Sequence, residues 1–237
     1  MKRLLAAMFI LMLLFGCTSA FGEDEMPPPE IQRMIEIAQE ELESHGGKPL
    51  KDSNEYTLWY YGDKTQIEWC GAFTSWIAAQ GGVEMLKWVQ LESFMNGNPE
   101  EEVAEMSYPP IDHLPDVFFM KEAHVGRLRN SYILVDRLVD IPKPGYQIFY
   151  GRVGGAPTLH TGIVESVREI SEGVFELTTL EGNVGARIKR FCTRYTLTPK
   201  RKHRNYSTVP SKERIVEDAQ YKLQNEDWYI TGFGKTW

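Results

Sequence analysis

Apolar residues fall at helical spacing early in the chain and at alternating spacing later, and that change of period divides it. Over residues 30–44, Ile31, Met34, Ile35, Ala38 and Leu42 recur on one helical face. His45-Gly46-Gly47 and Pro49 end the run. Residues 48–68 read as a loop dense in aromatics, with Tyr56, Trp59, Tyr60 and Tyr61. An amphipathic helix is predicted from Cys70 to about residue 80, stopped by Gly81-Gly82. The stretch 83–140 has the weakest pattern: 84–91 and 115–129 read as helical, and 96–102 as polar. Beyond it, short apolar and partly alternating runs at 145–152, 161–167 and 174–180 predict strands, with further candidates at 189–195 and 228–234. Helices first and a mostly antiparallel sheet afterwards define an α+β domain. No internal repeat is visible.

Composition narrows the class. The chain has 237 residues, 42% hydrophobic and 12% aromatic, enough for one good-sized domain and unlike a disordered segment. A net charge of −7 argues against a nucleic-acid partner, which would require a basic surface to neutralise phosphates. The one basic run, Lys200-Arg201-Lys202-His203-Arg204, is too short to form such a surface and reads as a solvated loop.

The N-terminus reads as a targeting segment. Lys2 and Arg3 precede an apolar run from Leu4 to Phe15, of signal-peptide rather than membrane-spanning length. Leu14-Phe15-Gly16-Cys17 resembles a bacterial lipobox, with cleavage before Cys17 and lipid attached to that cysteine; Phe15 departs from the small or aliphatic residue usual there. The alternative is ordinary secretory cleavage after Ala20 or Gly22. Residues 1–22 are therefore expected to be a signal peptide of lipoprotein type, and 18–29 an acidic, proline-rich linker. A single domain is expected over 30–237. Either cut exports the mature chain, to the cell envelope as a membrane-anchored lipoprotein or else as a secreted protein.

The chemistry concentrates in three short runs. Cys70, in Glu68-Trp69-Cys70-Gly71-Ala72-Phe73, stands where a helix begins. A thiol there faces the positive end of the macrodipole and unpaired backbone N–H groups, which favour the nucleophilic thiolate. His160 opens the apolar strand run His160-Thr161-Gly162-Ile163-Val164. Glu181 and Asn183, in Leu180-Glu181-Gly182-Asn183, end the next strand and at i and i+2 are expected to point the same way. A nucleophile needs a base, and the base needs a third group to fix its tautomer. Either Glu181 or Asn183 supplies the oxygen for that; Glu181 is the favoured orienter and Asn183 the assistant. Trp69, Tyr61 and Gln66 are the expected substrate-facing neighbours, and Gln66 or Tyr61 would join the Cys70 N–H in holding an oxyanion. His45, His113, His124 and His203 read as loop or surface histidines. Cys192 reads as a small apolar residue rather than the partner of a Cys70 disulfide. Asp52, Asn54 and Glu55 lack the glycine and order of a calcium loop, and there is no zinc motif or phosphate-binding loop, so no metal and no cofactor are expected.

Taken in order, these runs resemble a known family. Residues 54–82, with Glu68-Trp69-Cys70 and Gly81-Gly82, resemble the nucleophile region of CHAP domains, the cysteine, histidine-dependent amidohydrolases/peptidases of the papain-like superfamily. Ile141-Pro142-Lys143-Pro144-Gly145 with Ile148-Phe149-Tyr150 resembles the strand before the family histidine, and the runs at His160 and Glu181 resemble the other two signatures. The resemblance spans roughly 30–197. Two features depart from it: Tyr146 stands where an aspartate usually follows the Pro-Gly turn, and the distance from Cys70 to His160 implies an insertion at about 84–140.

The resemblance implies a papain-like fold with the nucleophile at a helix start packed on an antiparallel sheet. With export, it implies hydrolysis of amide bonds in peptidoglycan or muropeptides, either between muramic acid and L-alanine or within the stem or cross-bridge. The membrane would be met through lipid on Cys17, and the insertion would offer a surface to a protein partner. Two other readings stand beside it: a catalytically silent envelope-binding or scaffold domain, and a cysteine amidase or transferase acting on another small amide.

Overall fold

The computed structural model describes residues 26–51, 53–62, 68–87, 114–152, 158–197, 215–216 and 228–237. The expected signal peptide with Cys17, most of the linker, Gln66, Asp52, His113, the basic run with His203, and residues 88–113 of the insertion lie outside them.

Helix α1 (Pro29–His45) starts with Pro28 as N-cap and Pro29 in its first turn, where the missing N–H costs nothing. It buries Ile31, Met34, Ile37 and Ala38 and ends at Gly46 in the left-handed conformation. The aromatic stretch expected to be a loop instead contains a short helix, α2 (Glu55–Tyr61). Its cause is local: the Asn54 side chain accepts the Tyr56 and Thr57 N–H groups, and Thr57 Oγ1 accepts the Asn54 N–H, a reciprocal capping box. Asn54 and Glu55 thus belong to a helix start.

Helix α3 (Cys70–Gln80) has the expected bounds but not the expected amphipathicity: eight of its residues are buried, Thr74 and Ser75 among them. The reason is its central place. Gly81 lies so close to α1 that a Cβ would stand 2.9 Å from the Met34 backbone. On the other side Gln147 Nε2 donates to Thr74 Oγ1 at 3.0 Å. At its start, the space a Cβ on Gly71 would need is taken by the Ala123 carbonyl oxygen at 2.5 Å.

The expected helix over 84–91 is replaced, where described, by β1 (Met85–Lys87), paired in parallel with β2 (Phe119–Lys121). The helix expected at 115–129 begins later, as α4 (Val125–Leu134), behind His124, whose Nδ1 accepts the Arg127 N–H. The strands that follow form one sheet: β3 (Leu138–Val139), β4 (Gln147–Arg152), β5 (His160–Ser171), β6 (Val174–Glu181), β7 (Lys189–Thr196), β8 (Ile215–Val216) and β9 (Trp228–Gly234). Their order is β3-β9-β4-β5-β6-β7-β8, seven strands with every described pairing antiparallel. The architecture is α+β, helices α1 and α3 packed on an antiparallel sheet. Among the described residues, no helix is long and apolar enough to cross a membrane.

Candidate active site

Cys70 is the first residue of α3 and is buried. Trp69 at the N-cap supplies no capping side chain, so the first-turn N–H groups keep their partial positive charge beside the sulfur. His160 opens β5, directly opposite Tyr150 of β4. Glu181 closes β6, and Gly162 is what lets it reach the histidine. A Cβ on Gly162 would stand 2.6 Å from Glu181 Cγ, so the glutamate side chain crosses the strand through the space a larger residue would fill.

The structure brings Cys70, His160 and Glu181 together. His160 Nε2 lies 3.0 Å from Glu181 Oε2, and the Cys70 side chain is near enough to the imidazole to raise its pKa. With Nε2 engaged by the carboxylate, Nδ1 is the ring nitrogen left for sulfur. Burial by itself lowers the pKa of His160. The interactions with Cys70 and Glu181, with the charges of both, outweigh it and push the imidazole up from 6.5 to about 9. The site therefore favours imidazolium at neutral pH, the form that accompanies a thiolate.

Asn183 is not part of this chain of contacts. It lies past the end of β6 with φ 62, so the i, i+2 alternation expected to aim it with Glu181 is broken. Its Nδ2 donates to Glu68 Oε2 at 2.5 Å instead. Nor does Trp69 face a substrate: it is 1% exposed and stacked on Tyr56 at 5.4 Å, within the core between α1 and α3. Its indole is the flat lid of that core, and the Nε1–H has no partner among the described residues. Tyr61 does stand at the site. It is half-buried, and burial first, then the charges of Glu122 and Cys70, raise its pKa, with Arg127 opposing. Tyr60 and Trp59 pack beside the Ala123 segment: the Tyr60 hydroxyl accepts the Ala123 N–H at 3.1 Å, and Lys121 Nζ sits 4.3 Å from the Trp59 ring centroid.

Sequence reading missed several residues around the triad. Tyr150 and Thr179 donate hydroxyl hydrogen bonds to Glu181 Oε1 at 2.6 and 2.7 Å. Trp228 of β9 covers the imidazole, its ring 5.3 Å from that of His160. Thr179 was legible, two residues before Glu181 on the same strand and hence on the same face. Trp228 gave no signal, since it arrives from far along the chain. Cys192, on β7 opposite Thr178, is half-buried, and among the described residues neither it nor the buried Cys70 is in a disulfide.

A second cluster ties the end of α1 to the start of α2. His45 Nε2 lies 3.3 Å from Glu41 Oε2 and 3.0 Å from Glu55 Oε1, and the Tyr56 hydroxyl donates to Glu41. The ligand-type atoms of Glu41, His45 and Glu55 lie within 4.8 Å of one another, but these contacts already pair them with one another and with Tyr56.

No family model matches the chain, and no curated protein or solved structure shows significant similarity to it.

Proposed function

We propose that this chain is an exported cysteine amidohydrolase/peptidase of the CHAP type, with a papain-like fold over residues 30–237, and that it hydrolyses amide bonds of peptidoglycan. One observation carries the reading: three distant runs meet so that a helix-start thiol stands beside an imidazole that is hydrogen-bonded to a buried carboxylate. The substrate class rests on the family resemblance and on the expected export signal.

In this mechanism the Cys70 sulfur attacks the amide carbonyl carbon while the first-turn N–H groups of α3 stabilise the oxyanion. The C–N bond breaks as His160 passes its proton to the leaving amine, giving an acyl-thioester and a free amine. Water then attacks the thioester, His160 takes its proton, and the C–S bond breaks to release the acid and return the thiol–imidazole pair. Glu181 holds the ring in the tautomer that presents Nδ1 to sulfur. Lipid on Cys17 would hold the domain at the envelope membrane.

Incubation of the mature protein and its Cys70→Ala variant with purified sacculi, followed by mass spectrometry of the soluble fraction, tests the reading. The native protein is expected to release fragments and the variant none. New amino termini on L-alanine identify an amidase, and new termini inside the stem an endopeptidase. Absence of release by both proteins would overturn the hydrolase and favour a binding domain.

A further inference from the structure

We propose that Tyr150 is a positioning residue for the thiol–imidazole pair, acting through Glu181: its hydroxyl, with that of Thr179, pins one carboxylate oxygen so that the other is held on His160. The inference rests on the proposed chemistry of Cys70 and His160 and adds to it a hydroxyl clamp on the orienting group.

Glu181 is fully buried. A carboxylate in that position has no water to satisfy it and depends on donors from the protein. Oε2 takes the imidazole at 3.0 Å. Oε1 takes the Tyr150 hydroxyl at 2.6 Å and the Thr179 hydroxyl at 2.7 Å, both within the short range of bonds to a charged acceptor. The sheet register makes the arrangement rigid. Tyr150 lies directly opposite His160, and Thr179 is two residues before Glu181, so all four share one face of three adjacent strands.

Tyr150 also stacks on the imidazole, ring centroids 5.8 Å apart, and so touches both the ring and the carboxylate that orients it. Packing alone would be served by phenylalanine, as at the neighbouring Phe149, because a buried hydroxyl without a partner is costly. The ladder between β4 and β9 shifts register between Phe149 and Tyr150, so the irregularity falls at the residue that does the aiming. Among the described residues, the titratable groups facing Glu181 include His160 on β5, Tyr150 on β4 and Lys189, its register partner on β7, with Cys70 beyond His160.

The test follows the pH dependence of Cys70 alkylation by iodoacetamide in the full chain, read by mass spectrometry with Cys192 as internal reference. Tyr150→Phe removes only the oxygen. A buried carboxylate deprived of a donor keeps its proton to higher pH, and while it is neutral the imidazolium loses its partner. The acid limb of the alkylation profile is therefore expected to move up by about one pH unit, making alkylation about tenfold slower on that limb, with the melting temperature falling by only a few degrees. Thr179→Val is expected to move the limb in the same direction, and it carries the test if Tyr150→Phe fails to fold. In a Glu181→Gln background, Tyr150→Phe should add nothing.

An unmoved limb, or a uniform slowing at every pH, would overturn the positioning role and leave the hydrolase reading intact. A Tyr150→Phe effect undiminished in the Glu181→Gln background would do the same. Wild-type Cys70 reacting no faster than Cys192 would instead remove the activated nucleophile itself, and the clamp with it.

Discussion

At the scale of single residues the site is an argument about where protons sit. His160 is buried, which opposes its charge, yet Cys70 and Glu181 flank it and prevail, so its pKa stands at about 9 against an ordinary 6.5. A folded-state pKa above the unfolded one means the folded chain binds the proton more tightly. The stabilisation is therefore fully present below about 6.5 and is lost as pH rises through about 9. Following the His160 ring protons by NMR should show imidazolium persisting at neutral pH and titrating near the upper value. In Cys70→Ala the sulfur's interactions with the ring are gone while burial remains, so the His160 pKa should fall. An unchanged titration in that variant would show that sulfur does not set the charge of the ring. Cys70, His160 and Glu181 were legible from residue type and position. Asn183 was not correctly placed, because a backbone in the left-handed region reverses the direction that strand alternation assigns.

At the scale of elements, legibility followed burial and length. The strands over 145–152, 174–180, 189–195 and 228–234 emerged within a residue or two: burial alternates along β6 and β7, while β4 and β9 are short, almost continuously buried apolar runs. Helix α2 did not, being too short to display a period and signalled only by Asn54 and Thr57 at capping-box spacing. The amphipathic reading of α3 failed for the opposite reason: a helix covered on several sides has no polar face to find. What the pattern could not reveal is the crossing of β5 by the Glu181 side chain, for which Gly162 is the enabling residue. Gly162→Ala would put a methyl group 2.6 Å from Glu181 Cγ and 2.7 Å from the Leu180 carbonyl, and the strand backbone has little room to yield. It is expected to destabilise the fold by about 1–3 kcal/mol and to push the carboxylate off the imidazole, lowering the His160 pKa. Thermal denaturation with the same NMR titration checks both. A Gly162→Ala protein with wild-type His160 titration would show that the carboxylate reaches the ring by another route.

At the scale of the whole molecule, the least legible region proves to be wall rather than appendage. Residues 84–140 read as an insertion offering a surface to a partner, yet its described parts are built into the core around the nucleophile. Cys70 packs in one cluster with Leu86, Phe118, Met120, Val125, Leu128 and Tyr132. Ala123 closes over Gly71, and the Phe118 N–H donates to the Thr236 carbonyl near the end of the chain. The sequence hid this because the contacts are long-range and the segment itself has no sustained period. A hinged cover and an integral wall differ in their unfolding. Leu128 is fully buried in the cluster that holds Cys70, so Leu128→Ala should cost about 2–5 kcal/mol. If the segment is integral, the urea midpoint should fall by that amount in one cooperative transition, with near-ultraviolet dichroism and exposure of the Cys70 thiol to labelling moving together. Labelling of Cys70 at lower urea than the loss of aromatic dichroism would mean that the segment opens by itself, as a lid over a domain that stays folded beneath it.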